Sequence, residues 1–102
     1  MSTRTDEAGA AAKPRLLFFY GPHDGHSRRV EGFIAQVMQR RRNHDTFVIH
    51  RIDADTNPEL ALRFRVEDVP TVLVVDGKRV RARVVRPSGC VDLRESLEPW
   101  LR

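Results

Sequence analysis

A single cysteine, Cys90, stands in this chain of 102 residues. One thiol excludes an intramolecular disulfide, and with it any exchange between two thiols of the same molecule. It also argues against a small secreted scaffold, which depends on paired cysteines. Lysine is almost as scarce: Lys13 and Lys78 are the only two. The rest of the positive charge is arginine, a bias that fits a GC-rich, bacterial-like genome and equally suits bidentate contacts to anions. The net charge of +4 is too small to choose between these. No stretch approaches the roughly 18 to 20 apolar residues of a membrane helix. Residues 1–15 hold no apolar run of the kind a signal peptide needs. The expectation is a soluble, cytoplasmic chain with no membrane partner.

What is present suffices for one modest core: 40% of the residues are hydrophobic, in a length typical of a single domain. Residues 1–14 mix small and charged types and read as a disordered tail, leaving 15–102 as the domain. Leu16-Leu17-Phe18-Phe19-Tyr20 is a continuous apolar run, the mark of a strand covered on both faces. Val30, Phe33, Ile34, Val37 and Met38 form a helical stripe, which predicts a helix over 27–42 with Arg40, Arg41 and Arg42 at its negative end. Residues 46–52 read as a second strand. Asn57 then Pro58 predicts a helix start, with Asn57 as N-cap, running to about Phe64 and burying Leu60, Ala61 and Phe64. Residues 71–75 and 78–84 around Asp76-Gly77 read as a β-hairpin. A last helix from about Gly89 buries Cys90 or Val91 together with Leu93, Leu97 and Leu101. The order β-α-β-α-β-β-α predicts a mixed α/β sheet of four strands with helices on both faces.

Three segments in this order and spacing resemble the thioredoxin superfamily. They are the strand–helix junction from Phe19 through Gly21-Pro22-His23-Asp24-Gly25-His26-Ser27 to Glu31; Arg51-Ile52-Asp53 followed by Asp55-Thr56-Asn57-Pro58-Glu59-Leu60-Ala61; and Val66-Glu67-Asp68-Val69-Pro70-Thr71 with the strand and turn after it. The resemblance covers roughly 15–101 and implies a thioredoxin-like fold, with Val69-Pro70 as a cis bond facing the first helix. The family's extra N-terminal strand and helix have no counterpart. Aligned on this junction, the family's Cys-x-x-Cys falls on Asp24-Gly25-His26-Ser27. His23 takes the place of the tryptophan that commonly precedes the motif, and Phe18 that of a buried acid. A thiolate and a resolving thiol are both missing there, so no dithiol oxidoreductase activity is expected and no catalytic residue is assigned.

Each remaining candidate has an ordinary reading beside a sharper one. Asp24 suits a helix N-cap, and Ser27 a partly buried hydroxyl bonded to backbone. His23, Asp24 and His26 are candidate metal ligands, but three neighbours in sequence rarely converge on one ion, so no metal or other cofactor is assigned. A Ser–His–Asp hydrolase is disfavoured on the same geometric ground. Cys90 falls on the apolar stripe of the last helix and reads as a small buried hydrophobe, with a reactive thiol at a helix start as the alternative. Arg79, Arg81 and Arg83 alternate with Val80, Ala82 and Val84, which predicts one arginine face and one apolar face. That stripe reads as a charged edge strand; nucleic acid is disfavoured because no recognition module accompanies it.

The leading expectation is therefore a redox-inactive protein- or peptide-binding module. The resemblance implies a groove beside the cis-proline, where an extended partner pairs with backbone, lined by Tyr20, His23, His26, Val69, Pro70 and Thr71. The protein partner is unidentified. Two alternatives stand: a homodimer formed through strand 46–52, with Phe47 and Ile49 suited to pairing, and an enzyme using non-dithiol chemistry at 23–27 or monothiol chemistry at Cys90.

Overall fold

The computed structural model describes residues 13–40 and 43–101. The sequence-based assignment of residues 1–12 to a tail, and of Arg41 and Arg42 to a helix end, lies outside them. Strand β1 (Arg15–Tyr20) is followed by helix α1 (Gly25–Gln39), strand β2 (Val48–Asp53) and helix α2 (Pro58–Arg63). Strands β3 (Thr71–Asp76) and β4 (Arg79–Val85) form the hairpin, and helix α3 (Cys90–Leu97) continues into a short 3-10 turn, Glu98–Trp100. The sheet order is β2-β1-β3-β4, with β1 parallel to β2 and antiparallel to β3. This is the four-stranded mixed α/β architecture of the thioredoxin-like fold.

The apolar run of β1 has the two-sided burial its composition predicts. Leu16 and Phe18 join Val30, Ile34, Val37 and Met38 of α1 and Leu93 and Leu97 of α3 on one face of the sheet. Leu17 and Phe19 meet Leu73 and Val75 on the other, where the half-buried Leu60, Ala61 and Phe64 of α2 pack. Alternate side chains of a strand point to opposite faces, so a strand covered on both sides must be apolar throughout. Phe18 is 1% exposed in the larger cluster.

Several boundaries differ from the sequence reading. Helix α1 starts at Gly25 because Asp24 is extended and caps it. It ends at Gln39, so Arg40 is the C-cap and lies beyond the last turn. Strand β2 begins at Val48; Thr46 and Phe47 before it are buried, and the Phe47 ring packs 6.3 Å from that of Trp100. Phe47 is thus core and is not available for edge pairing. Asn57 precedes α2, but its side chain makes no cap: Nδ2 donates to the Asp53 carbonyl at 2.9 Å. The hairpin turn is Gly77-Lys78, since Asp76 pairs with Arg79, and Gly77 supplies the positive φ of 64°.

The arginine stripe of β4 is also broken. Val74 pairs with Ala82 while Val75 pairs with Val80, which leaves Arg81 as the extra residue of a β-bulge. Directly opposed residues share a face. Arg79, opposite Asp76, therefore lies on the α1/α3 face, and Arg83, opposite Leu73, on the α2 face. Val91 is exposed and Cys90 is half-buried, which settles which of the two turns inward at the start of α3.

Candidate functional site

The junction between β1 and α1 is held by a closed set of hydrogen bonds. Gly21 N–H donates to Ser27 Oγ at 3.0 Å. The Ser27 hydroxyl donates to Asp24 Oδ2 at 2.9 Å, and the Ser27 amide donates to the same oxygen at 3.0 Å. Ser27 is 3% exposed, and its buried hydroxyl both accepts and donates. The Ser27 hydroxyl above all holds the Asp24 carboxyl below the usual carboxylate value; the backbone N–H groups of Ser27 and His26 and the Arg86 cation add to this, against partial burial. Asp24 and Ser27 are therefore bonded to one another.

His26 turns away from this pair. Its Nε2 donates to the Pro87 carbonyl at 2.8 Å and ties α1 to the connection between β4 and α3. Hydroxyl and imidazole do not meet, so the junction lacks the nucleophile–base contact of a hydrolase. His23 is exposed. Among the described residues no group of three or more His, Cys, Asp or Glu is placed to hold a metal. Cys90 Sγ lies 4.0 Å from the Phe33 carbonyl. Phe33 is six residues beyond Ser27 on α1, about 9 Å along the axis at 1.5 Å per residue.

The Val69–Pro70 bond is cis. Gly21 makes room for this segment: a Cβ there would lie 3.2 Å from Val69 Cγ2 and 3.2 Å from Asp24 Cβ. Val69 is half-buried and Pro70 buried, while Thr71 is 1% exposed and its hydroxyl donates to the Asp68 carbonyl at 2.5 Å. The six expected groove residues divide accordingly. Val69 and Pro70 adjoin the Gly21 end of β1. Tyr20 belongs to a separate hollow of about 200 Å³ with Pro22, Ser27, Arg28, Glu31 and Arg51, its ring 5.6 Å below the Arg51 guanidinium. Thr71 lines a second hollow of about 430 Å³ with Arg65, Glu67, Asp68, Arg83 and Val85.

Arg86 is the residue that sequence reasoning missed. It has φ 49°, its amide donates to the Pro70 carbonyl at 2.8 Å, and its guanidinium donates to the Val69 carbonyl. No sequence signal pointed to it: Arg86 precedes Pro87, a position that normally favours extended backbone, and its positive φ appears only in the structure. Its partners sit 16 and 17 residues upstream, where no local pattern points.

Known proteins with this sequence pattern and this fold agree on the class. A family model described as thioredoxin matches residues 5–98. A curated thioredoxin of Mycobacterium bovis is 33% identical over 86 residues, which cover 83% of this chain and 72% of that protein. The bifunctional thioredoxin reductase/thioredoxin of Mycobacterium leprae is 31% identical over 85 residues; the match covers 83% of this chain but only 18% of that protein's length. In structure, a mutant thioredoxin from Halobacterium salinarum superposes with a TM-score of 0.73 at 21% identity, covering 88% of this chain and 76% of that one. The Trxlp protein from Edwardsiella tarda gives 0.76 at 16%, covering 91% and 86%. This chain belongs to the thioredoxin family. The chain's one cysteine, Cys90, lies at the start of α3, outside the β1–α1 junction. Among the described residues no helix is long and apolar enough to cross a membrane.

Proposed function

We propose that the chain is a redox-inactive thioredoxin-like domain that binds an extended polypeptide beside Val69 and Pro70. The observation that carries this reading is the Val69 amide, which has no acceptor within the described residues although it adjoins the packed Gly21–Ser27 junction. A backbone donor without a partner among the described residues, next to a half-buried apolar side chain, suits strand addition, which needs no thiol. Asp24 and Ser27 support the redox-inactive part, since neither supplies a thiolate and each satisfies the other. Arg86 adds a condition: the Val69 carbonyl already accepts its guanidinium, so an incoming strand bonds first to the Val69 amide and competes with Arg86 for the oxygen.

The test is selection of displayed random peptides on the full chain. Val69→Asp is expected to weaken the selected peptides at least about tenfold, or 1.4 kcal/mol, with Cys90→Ser unchanged. Peptides that bind Val69→Asp as well as the parent chain place the surface elsewhere. In an insulin-reduction assay the chain is expected to add nothing to dithiothreitol alone. Acceleration lost in Cys90→Ser would refute the redox-inactive reading.

A further inference from the structure

Among the described residues the sheet has two outer strands, β2 and β4, and of these two β2 is the regular one. Its bonding direction is set by two contacts at its ends. Val48 N–H donates to the Pro14 carbonyl at 3.0 Å, and Ala54 N–H donates to the Tyr20 carbonyl at 3.0 Å. Backbone groups alternate in direction along a strand. Val48, His50 and Ile52 therefore spend their N–H and C=O groups on β1, and those of Ile49, Arg51 and Asp53 point to the open side. Side chains alternate the other way. Ile49 and Arg51, opposite Leu16 and Phe18, lie on the α1/α3 face, while Val48, His50 and Ile52, opposite Arg15, Leu17 and Phe19, lie on the α2 face. Val48 is 45% exposed and Ile49 41%. The strand has no proline, no lysine and no bulge, the usual devices that keep an edge from pairing.

We propose that this edge pairs with β2 of a second copy of the chain, antiparallel, about a twofold axis at His50. The choice of a second copy rests on self-complementarity. A twofold axis normal to the sheet keeps each face with its like, so opposed residues must be of the same parity, and the axis passes through one residue. With the axis at His50, the outward-bonding Ile49 of one copy meets the outward-bonding Arg51 of the other, twice, and each pair exchanges two backbone hydrogen bonds. On the α2 face, Val48 of one copy covers Ile52 of the other on both sides of the paired His50 rings. Arg51 brings no unbalanced charge, because Glu31 holds its guanidinium at 2.7 Å. With the axis moved to Arg51, two guanidinium groups oppose each other and Ile49 faces the Asp53 carboxylate. Like charges directly opposite destabilise a pair. With the axis at Ile49 only residues 48–50 pair, because β2 starts at Val48 and Phe47 before it is buried; the His50 register pairs 48–52 without either cost. The contact is isologous and closes at two copies.

Cross-linking of the full chain reads the register. In a Cys90→Ser background, His50→Cys places two thiols in the non-hydrogen-bonded pair at the axis, with Cα atoms about 4.5 Å apart, inside disulfide range. In this register the two copies of residue 49, and likewise of residue 51, lie beyond the roughly 7 Å limit for bridging. The expected result is that His50→Cys forms a disulfide dimer at least about tenfold faster than Ile49→Cys, Arg51→Cys or the β4-edge control Arg79→Cys. Fastest cross-linking at Arg51→Cys would overturn the register, and rates equal to the control would overturn the contact. Sedimentation equilibrium of the unmodified chain is expected to show a concentration-dependent dimer, weakened at least about tenfold by Ile49→Lys, which opposes a lysine to Arg51. A monomer up to millimolar concentration would overturn the proposal. If in that monomer the Ile49, Arg51 and Asp53 amides also exchanged slowly, another segment of the same chain would be the occupant.

Discussion

Strand β4 closes one side of the sheet with Arg79, Arg81 and Arg83, a bulge at Arg81 and a guanidinium fastened across to α2, whereas β2 closes the other with six regularly paired residues and the exposed Val48 and Ile49. The difference lies in how each edge spends its polar groups. Arg83 donates to the Phe64 carbonyl at 2.6 Å and the Arg65 carbonyl at 3.2 Å, so it caps the end of α2. The bulge breaks the ladder where a second chain would pair. On β2 the one arginine is folded back onto Glu31 and Tyr20, and among the described residues the outward backbone groups of the strand meet no partner. Arginine content alone therefore says little about an edge; the partner of each guanidinium decides it.

The comparison is broken most severely from the start of β2. Phe47→Ala removes a buried ring that packs against Trp100 and is expected to cost about 3–5 kcal/mol in urea unfolding. A loss near that of a surface change would mean that the start of β2 is not anchored in the core. On the opposite edge, Arg83→Ala frees two carbonyls at the end of α2 and should cost about 1 kcal/mol, with faster amide exchange in α2. Arg81→Ala, in the bulge, should stay within about 0.5 kcal/mol. Equal losses would remove the distinction between a fastened and a merely charged arginine.

Two smaller effects sharpen the contrast. Asp24 lies on neither edge and serves as a reference. Its folded carboxyl is held below the ordinary value of 3.8, so its stabilisation is complete above that value and is lost as pH falls through the lowered one. The stability gap between the parent chain and Asp24→Ala should thus be constant near neutrality and close on acidification; a gap that widened in acid would contradict the Ser27 bonding. Smallest of all, Arg51→Ala should cost less than about 1 kcal/mol, and high salt should remove most of that. Thermal melts at two ionic strengths measure it.

The elements were largely legible because each rests on a local pattern. The two-sided run of β1, the stripe of α1 and the Pro58 helix start each repeat with the period of their own structure. Boundaries were less so. Asp24 is the N-cap its residue type suggests, but the helix then starts two residues earlier than its apolar stripe, and Phe47 looks like strand until Trp100, 53 residues later, covers it. The arginine alternation was a period-two pattern correctly read, then cancelled by one extra residue at Arg81. At the site, the Asp24–Ser27 bond lies within reach of sequence reasoning, since the partners are three residues apart. The contacts of His26 with Pro87 and of Arg86 with Val69 are not, being 61 and 17 residues apart.

By itself the sequence determined that one thiol is present, that it lies outside 24–27, and that the apolar periods fit a strand–helix alternation ending in a hairpin and helix. Those are matters of counting and local repetition, which need no knowledge of what meets what. Only the tertiary structure decided that His26 reaches the Pro87 carbonyl, that Arg86 rests on the Val69 carbonyl, and that among the described residues one sheet edge is fastened while the other is open. Each of these depends on which distant groups find a partner when buried or brought together, and hydrogen-bond satisfaction is a property of the packed molecule.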